Sequence, residues 1–285
     1  MRDLEWDYAP VRKILVSFMQ QKLLPGYIAL HDKDALGYIY FLMNGSKGIL
    51  GNIFVRKSEF SREISNKLLS KSISDLKDLP KIRRIEAQIM PFNDLYFADI
   101  FIEKGFCHYP RSYLALDSET YTRSISAAQI RFVSWSNSYL PMAALIILAS
   151  YKNQSDADIC SDYRSVSGCE KYLHSIIESP GCGTFLPEAS FIVLDENSRI
   201  IAFILGSRIS EGIGMIPQIV VHPRYQGQGF GNMLMDACIH SFQKLGFRKI
   251  TLTVTDKNSR AYEWYRRLGF KACKQFGAFS WNRPF

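Results

Sequence analysis

The pattern of apolar and polar positions predicts short strands interleaved with amphipathic helices. β-branched runs with alternating or continuous apolar character predict strands, and apolar residues three or four apart predict helices. In the second half of the chain, the predicted strands are 129–135, 190–194, 200–207, 213–221, 249–255 and 279–281. The predicted helices are 139–151, 166–178, 229–245 and 259–268. Because strands outnumber helices and the two alternate, we expect an α/β or α+β fold with a mixed sheet.

Two stretches of the chain show the same order of predicted elements. Residues 51–69 and 217–235 each contain a β-branched strand, a polar segment of ten residues and the start of a helix. Farther on, each stretch continues with a strand, an Asn and a helix that ends in Gly-Phe, at 105–106 and at 269–270. This repetition predicts an internal duplication.

The duplication places two similar units at 1–120 and 125–285. The segment 117–126 between them reads DSETYTRSIS. It is polar and rich in Ser and Thr, as a junction between units is expected to be.

Composition agrees with a globular chain. Of its 285 residues, 47% are apolar and 22% charged, which is typical of a protein with a large core. The longest apolar run, 140–149, is about ten residues, whereas ~20 are needed to span a bilayer. No charged-then-apolar leader opens the sequence. We therefore expect a cytoplasmic protein without a membrane partner.

The net charge of +8 is concentrated at one end of the chain. Residues 244–285 contain ten Lys or Arg and two Asp or Glu, so this end could steer an anionic ligand. A solvated face is the alternative. Nucleic-acid binding is not expected, because the sequence has no aromatic-basic motif and no finger spacing. The six scattered cysteines form no CxxC pair, so we expect no metal and no disulfide framework.

The segment 221–231, VHPRYQGQGFG, carries the most specific chemistry. A predicted strand is followed by glycines at 227, 229 and 231, and a predicted helix begins among these glycines. Glycines let a ligand approach the backbone, and a helix N-terminus offers unpaired N–H groups to a phosphate. The spacing is not the GxGxxG of a dinucleotide fold, and no GK[ST] follows as in a P-loop. A tight turn without a ligand is the alternative.

With Gln226, Gly229 and Gly231, this turn resembles the Gln/Arg-x-x-Gly-x-Gly/Ala signature of the GNAT superfamily, the acyl-CoA-dependent N-acyltransferases. A second segment matches the family pattern Asn-x-x-Ala-x-x-x-Tyr-x-x-x-Gly-Phe at Asn258, Ala261, Tyr265, Gly269 and Phe270. The two motifs occur in the family's order. The resemblance implies two units, each a mixed, mostly antiparallel sheet flanked by helices.

The resemblance also implies acetyl-CoA as co-substrate and assigns residues to it. The implied cofactor-binding residues are Ile219, Val220, Val221, Gln226, Gly227, Gln228, Gly229, Phe230, Gly231, Asn232 and Asn258. Tyr265 is implied to protonate the departing thiolate, since a tyrosine of ordinary pKa ~10 keeps its proton at neutral pH. The alternative makes Tyr265 a core aromatic.

The general base is not fixed by the resemblance. The acidic candidates in the second unit are Glu188, Asp158 and Glu211. We favour Glu188 as a second catalytic residue, because it opens a predicted central strand; a solvated strand-edge Glu is the alternative. His222 precedes Pro223 and is expected to point away from the site.

The first unit lacks the key residues. Glu63 stands where the second unit has Gly229, and Phe101 stands where it has Tyr265. A carboxylate and side chains at this turn would repel and block a pyrophosphate. We expect a GNAT-like unit that does not bind the cofactor.

The sequence thus predicts an enzyme that moves an acetyl group from acetyl-CoA to a primary amine by direct attack in a ternary complex. A small-molecule acceptor is favoured over a protein or peptide amine. Two competing hypotheses are a coenzyme-A sensor or interaction module whose catalysis has lapsed, and a nucleic-acid protein using the basic C-terminal end. We expect a monomer or homodimer, and the acceptor and acyl chain length stay open.

Overall fold

The computed structural model describes residues 7, 9–56, 61–90, 95–123, 131–179 and 181–284. The helices are α1 Ala9–Gln20, α2 Ser61–Asp78, α3 Leu95–Glu103, α4 Leu140–Tyr151, α5 Ser155–Ile159, α6 Val166–Glu178, α7 Phe230–Lys244 and α8 Ser259–Arg267. The strands are β1 Gly26–His31, β2 Asp34–Asn44, β3 Lys47–Val55, β4 Arg84–Gln88, β5 Cys107–Asp117, β6 Arg131–Ser134, β7 Thr184–Leu194, β8 Ile200–Ser210, β9 Ile213–Val221, β10 Lys249–Thr255 and β11 Lys271–Asn282. No helix in these ranges is long and apolar enough to cross a membrane.

The chain divides into two compact units. The N-terminal unit consists of Ala9–Ser112 and Lys274–Phe285, and the C-terminal unit is built on Tyr113–Cys273. The sequence boundaries, 1–120 and 125–285, differ from this division at the junction, which lies between Ser112 and Tyr113, and at the end of the chain. The final twelve residues belong to the N-terminal unit, where β11 pairs with β4 from Ala278↔Gln88 to Asn282↔Arg84.

The two units repeat one strand pattern. The N-terminal sheet has the order β1-β2-β3-β4-β11, antiparallel except for the parallel pair β3/β4 that α2 connects. The C-terminal sheet has the order β5-β10-β9-β8-β7-β6, in which β6 to β9 pair antiparallel and α7 connects the parallel pair β9/β10. The predicted fold class, mixed and mostly antiparallel sheets flanked by helices, is confirmed.

The duplication extends to the turns that follow α3 and α8. Gly105 and Gly269 both have positive φ angles, of 74° and 99°, which a left-handed helix end requires. The next N–H in each case donates to the carbonyl five residues back, Phe106 to Phe101 at 2.9 Å and Phe270 to Tyr265 at 3.1 Å. The internal duplication is therefore confirmed at the level of single hydrogen bonds. The Asn that precedes α3, at position 93, lies outside the described residues.

The predicted junction is a fixed part of the C-terminal unit as far as it is described; residues 124–126 lie outside the described residues. Ser118 and Tyr121 are buried. Gln243 Nε2, on α7, donates to both of their carbonyls, at 2.6 and 3.0 Å. The Tyr121 hydroxyl donates a short hydrogen bond to the buried Asp236 carboxylate, also on α7. The polar residues of this segment therefore form hydrogen bonds with buried and half-buried groups of α7.

Replacing Tyr121 with Phe should destabilise the C-terminal unit by about 1–3 kcal/mol, because Asp236 would lose its buried hydroxyl donor. The Asp236 carboxylate would keep one cationic neighbour, Arg123, whose Nε lies 3.9 Å from it. The measurement is the urea midpoint of the unfolding step. Thr120→Val is the matched control, since the Thr120 hydroxyl bond is exposed and its loss should change stability by less than about 0.5 kcal/mol. Equal midpoints for wild type and Tyr121→Phe would contradict the expectation.

Candidate functional site

Strands β9 and β10 diverge after three residue pairs. They pair in parallel from Ile213↔Lys249 to Met215↔Thr251, yet β9 continues to Val221 and β10 to Thr255. On its other side β9 has one extra residue relative to β8, because the register jumps from Leu205↔Gln218 to Ser207↔Met215. Such a bulge bends the strand that contains it. Pro217 lies in the bulge and has no N–H to donate.

The divergence exposes backbone groups of β9. The His222 N–H donates to the Ile201 carbonyl at 2.8 Å, so alternate residues back along β9 face β8. Ile219 and Val221 therefore direct their backbone groups to the opposite edge, which β10 has left. Part of this edge is already in use: Val221 O accepts from Gln226 Nε2 at 3.1 Å. An extended ligand could pair with the edge as an added strand does.

The glycine turn follows this edge directly. Gly227 and Gly229 have φ angles of 80° and 90°, and no heavy atom lies within 4 Å of where either would place a Cβ. Gly229 caps α7 without a side-chain hydrogen bond, and its carbonyl accepts from Met233 N at 3.2 Å. The N–H groups of residues 230–232 precede the first bonds of the helix and coincide with the positive end of its dipole. This is the geometry of an anion site.

The third glycine, Gly231, faces α8. A Cβ added there would make ordinary van der Waals contact with the Trp264 ring, at 3.5 Å. The Trp264 indole N–H donates to Asn232 Oδ1 at 2.7 Å and so ties α8 to the start of α7. Asn258 Oδ1 caps α8 by accepting from Ala261 N at 3.2 Å. These contacts position the helix that carries Tyr265.

A cleft of about 440 Å³ lies between the open edge of β9, the glycine turn and α8. Its lining is Tyr151, Ile219, Val220, Val221, Tyr225, Gln226, Gly227, Gly229, Phe230, Gly231, Asn232, Asn258, Arg260, Ala261, Trp264, Tyr265 and Arg267. Ten of the eleven residues assigned to cofactor binding lie in this lining, together with Tyr265. The eleventh, Gln228, donates instead to the Arg224 carbonyl at 3.3 Å.

The charge of the lining is positive. It contains Arg260 and Arg267, and none of its residues is Asp or Glu. The Arg260 guanidinium contacts the side-chain oxygen of Gln226 at 3.5 Å, beside the glycine turn. The basic surplus at this end of the chain is visible in the sequence, but it does not by itself assign either arginine to the cleft. Their spacing on α8 beside the Asn258 and Tyr265 motif is the signal that would have found them.

Tyr265 is buried, with 7% of its surface exposed, and it borders the cleft. Burial is the main cause that raises its pKa above the ordinary value, and the nearby Tyr151 and Asp156 add to the effect. The hydroxyl therefore keeps its proton throughout the neutral range and can donate it. The counterpart in the N-terminal unit, Phe101, is fully buried and stacks on Phe279 with ring centroids 3.9 Å apart.

The three acidic candidates for a general base do not line the cleft. Glu188 is exposed in β7, within the register shift between Leu186 and Phe191. Asp158 pairs with Arg164 at 2.7 Å, and Glu211 is exposed in the turn after β8. The carboxylate whose charge helps to raise the pKa of Tyr265 is that of Asp156. The sequence alone does not reveal it, because no motif marks the short helix α5.

Residues 158–270 match a family model described as the acetyltransferase (GNAT) family. Mycothiol acetyltransferase of Gordonia bronchialis is 31% identical over 97 residues, which are 33% of this chain and 32% of that protein. N-alpha-acetyltransferase 30 of Schizosaccharomyces pombe is 32% identical over 87 residues, 30% of this chain and 58% of that protein. The chain thus spans between a third and somewhat over half of the length of these relatives.

Solved structures with a similar fold can be superposed on nearly the whole chain. A GCN5-related N-acetyltransferase from Sphaerobacter thermophilus has a TM-score of 0.70 at 13% identity and covers 96% of this chain and 86% of its own. A tandem GNAT protein from the clavulanic acid biosynthesis pathway has a TM-score of 0.60 at 12% identity, with 92% and 84% covered.

Residues 158–270, which lie in the C-terminal unit, thus match the GNAT family. The fold of the whole chain, with its two similar units, is that of GNAT acetyltransferase structures.

Buried phenols of the C-terminal unit should make the protein sensitive to alkali. Burial raises the pKa of Tyr121, Tyr163, Tyr172 and Tyr265 above the ordinary value. The unfolded chain loses these protons near pH ~10 while the folded chain retains them, so their contribution is complete below that pH and is lost above it. The midpoint temperature of thermal unfolding should therefore decrease as the pH is raised from about 9 to about 11.

The same experiment has an optical control. Of the 15 tyrosines, at least four should stay protonated at pH ~11 in the folded protein and ionise when guanidinium unfolds it. Ionisation of all 15 in the folded protein would contradict the burial argument.

Proposed function

We propose that the chain is an acyl-CoA-dependent N-acyltransferase that transfers an acetyl group from acetyl-CoA to a primary amine. One observation carries the proposal: an open strand edge, an uncapped helix N-terminus and a protonated phenol all border a single cleft. Each of these features matches one part of an acyl-CoA molecule.

The cleft can hold the cofactor along its length. The N–H groups of residues 230–232 and the positive end of α7 suit a diphosphate, and Arg260 adds charge beside them. The open edge at Ile219 and Val221 suits the two amides of the pantetheine arm. This arrangement directs the thioester toward Tyr265.

The reaction then needs little from the protein beyond positioning and one proton. The acceptor ammonium first loses one proton to solvent, which leaves a neutral nitrogen. This nitrogen forms a bond to the thioester carbonyl carbon, and the C–S bond breaks. Tyr265 donates its proton to the thiolate and recovers a proton from the nitrogen, so charge and atoms balance. Glu188 as the base that takes the first proton stays a prediction, since its side chain lies outside the lining.

Direct transfer is favoured over an acyl-enzyme. The lining contains no cysteine or serine that could carry the acyl group. Cys238, in α7, is fully buried, and burial raises the pKa of its thiol, which makes it a poor nucleophile.

We propose that only the C-terminal unit binds the cofactor. In the first turn of α2, Glu63 pairs with Lys67 at 2.6 Å, which places a carboxylate at the helix N-terminus. Phe101 provides no hydroxyl, and its ring is stacked within the core. Calorimetric titration with coenzyme A should give one equivalent per chain; two equivalents would overturn this assignment.

A small-molecule amine is the proposed acceptor. The name of one relative refers to mycothiol and that of another to N-alpha acetylation, so the test includes both kinds of acceptor. Thiol release from acetyl-CoA is measured across a panel of small amines and of peptides with free N-termini. Tight coenzyme-A binding without thiol release from any amine would favour the lapsed sensor.

Gly229→Glu should lower coenzyme-A affinity at least 100-fold, because the new carboxylate and side chain enter the anion site. The matched control is Gly246→Glu at the other end of α7. Gly246 has a φ of 80° and open space around a Cβ, so this variant carries the same charge and similar backbone strain. Both variants should lose about 1 kcal/mol of stability, but only the first should lose binding. Unchanged affinity in Gly229→Glu would reject the assigned turn.

Tyr265→Phe should lower kcat by about 10²–10⁴-fold, the usual worth of a positioned proton donor. Coenzyme-A affinity should stay within about threefold of wild type. Tyr225→Phe is the control, because Tyr225 also lines the cleft but lies beside the glycine turn. Equal kcat in the Tyr265 variant would remove the phenol from the mechanism.

A further inference from the structure

A cluster of three tyrosines adjoins the cleft in the C-terminal unit. Tyr151 stacks on Tyr163 with centroids 4.4 Å apart, and Tyr163 meets Tyr172 edge to face at 4.9 Å. Gln218, which is 3% exposed, donates to the Tyr151 hydroxyl at 2.9 Å and accepts from the Tyr172 hydroxyl at 3.1 Å. We call these three residues the tyrosine cluster. One buried amide at the bulge of β9 bonds the hydroxyls of its two outer members, Tyr151 and Tyr172.

Tyr151 joins the tyrosine cluster to the cleft. Its side chain lines the cleft together with Tyr265, and the two are close enough for Tyr151 to affect the pKa of Tyr265. The tyrosine cluster therefore lies next to Tyr265. In the proposed function, the acceptor must reach the thioester near Tyr265.

Asp156 is not among the residues that line the cleft, but it is fixed close to Tyr265. Its Oδ1 accepts from the Thr255 hydroxyl at 2.8 Å, and Thr255 is a buried residue at the end of β10. The Thr255 carbonyl in turn accepts from Asn258 N, at 2.8 Å, just before α8 begins. A strand end thus orients the carboxylate, and its charge acts on Tyr265.

The Asp156 carboxylate lacks a cationic partner among the residues that the structure describes. Its only side-chain bond there is the one from Thr255, and the side chain is half-buried. The nearest arginine in the sequence, Arg164, is committed to Asp158 and to the Ala157 carbonyl. A partly buried charge without a partner is costly, and a bound cation would offset that cost.

We propose that Asp156, oriented by Thr255 and close to Tyr265, binds the cationic ammonium group of the acceptor. The carboxylate supplies a charge-assisted hydrogen bond to that group. This inference rests on the proposed function and narrows its acceptor to amines that arrive protonated. Thr255 is a positioning residue in this arrangement.

The test is calorimetric binding of two ammonium probes, tyramine and putrescine, to the full chain loaded with coenzyme A. Tyrosol, in which a hydroxyl replaces the ammonium of tyramine, is the neutral match. Tyramine should bind at least tenfold more tightly than tyrosol. Asp156→Asn should weaken both ammonium probes at least tenfold and leave tyrosol unchanged.

Matched variants separate charge from folding. Asp158→Asn removes a carboxylate two residues away that already pairs with Arg164, and it should change tyramine affinity less than twofold. Thr255→Val should weaken tyramine about three- to fivefold, and Thr255→Ser should restore it. Coenzyme-A affinity should be unchanged in all four variants, which shows that the unit has folded.

The outcomes also separate this inference from the proposed function. The subsite is overturned if coenzyme A binds but neither ammonium probe does, if tyrosol matches tyramine, or if Asp156→Asn has no effect. The titrations are repeated without coenzyme A, so the subsite is tested even if the cofactor fails to bind. With an amine that turns over, Asp156→Asn should raise the KM for the amine at least tenfold and leave the KM for acetyl-CoA unchanged.

Discussion

The C-terminal site depends on two parallel strands that pair briefly and then diverge. The residues of β9 and β10 favour extended backbone up to the last residue of each strand, so their own conformational preferences do not explain why the strands separate. The separation comes from the extra residue that β9 carries opposite β8 and from Pro217 within that bulge. Once the strands diverge, one edge of β9 is left with polar backbone groups that need partners. Side chains such as Gln226 satisfy some of them, and the rest define the shape of a ligand.

The N-terminal unit shows what the same architecture becomes without the site. Its strand β3 also pairs only at its start, from Lys47↔Arg84 to Leu50↔Ala87, and these four pairs include all but the last residue of β4. There the packing is aromatic: Phe101 stacks on Phe279 inside the core. One hydroxyl separates Phe101 from Tyr265, yet one side chain completes a core and the other borders a cleft. The fold tolerates both solutions, and so fold alone does not assign function.

Local signals made the fold and much of the site predictable from sequence. Glycines 227 and 229 need positive φ, and the helix that follows them is amphipathic, so both are visible in a short window. Asp156 and Tyr151 could not be found in this way, because tertiary packing alone brings them to Tyr265. The return of residues 274–285 to the N-terminal unit depends on pairing with β4, nearly two hundred residues away in sequence. The sequence favours Glu188 as a catalytic residue because it opens a predicted strand. Its side chain is exposed, however, and lies within a register shift of β7 that no local pattern reveals.

The charges around the cleft explain why one phenol can lie between two substrates. In the cleft, the helix N-terminus and Arg260 favour an anion. Outside its lining, but close to Tyr265, the half-buried carboxylate of Asp156 favours a cation. In the proposed reaction the anionic cofactor and the cationic acceptor would therefore enter in opposite senses, each repelled from the other's end. In that reaction Tyr265 would lie where the two substrates meet, and it must be neutral to donate a proton. Burial, together with the nearby Asp156 charge, keeps it so, which links acceptor binding and proton donation through one carboxylate.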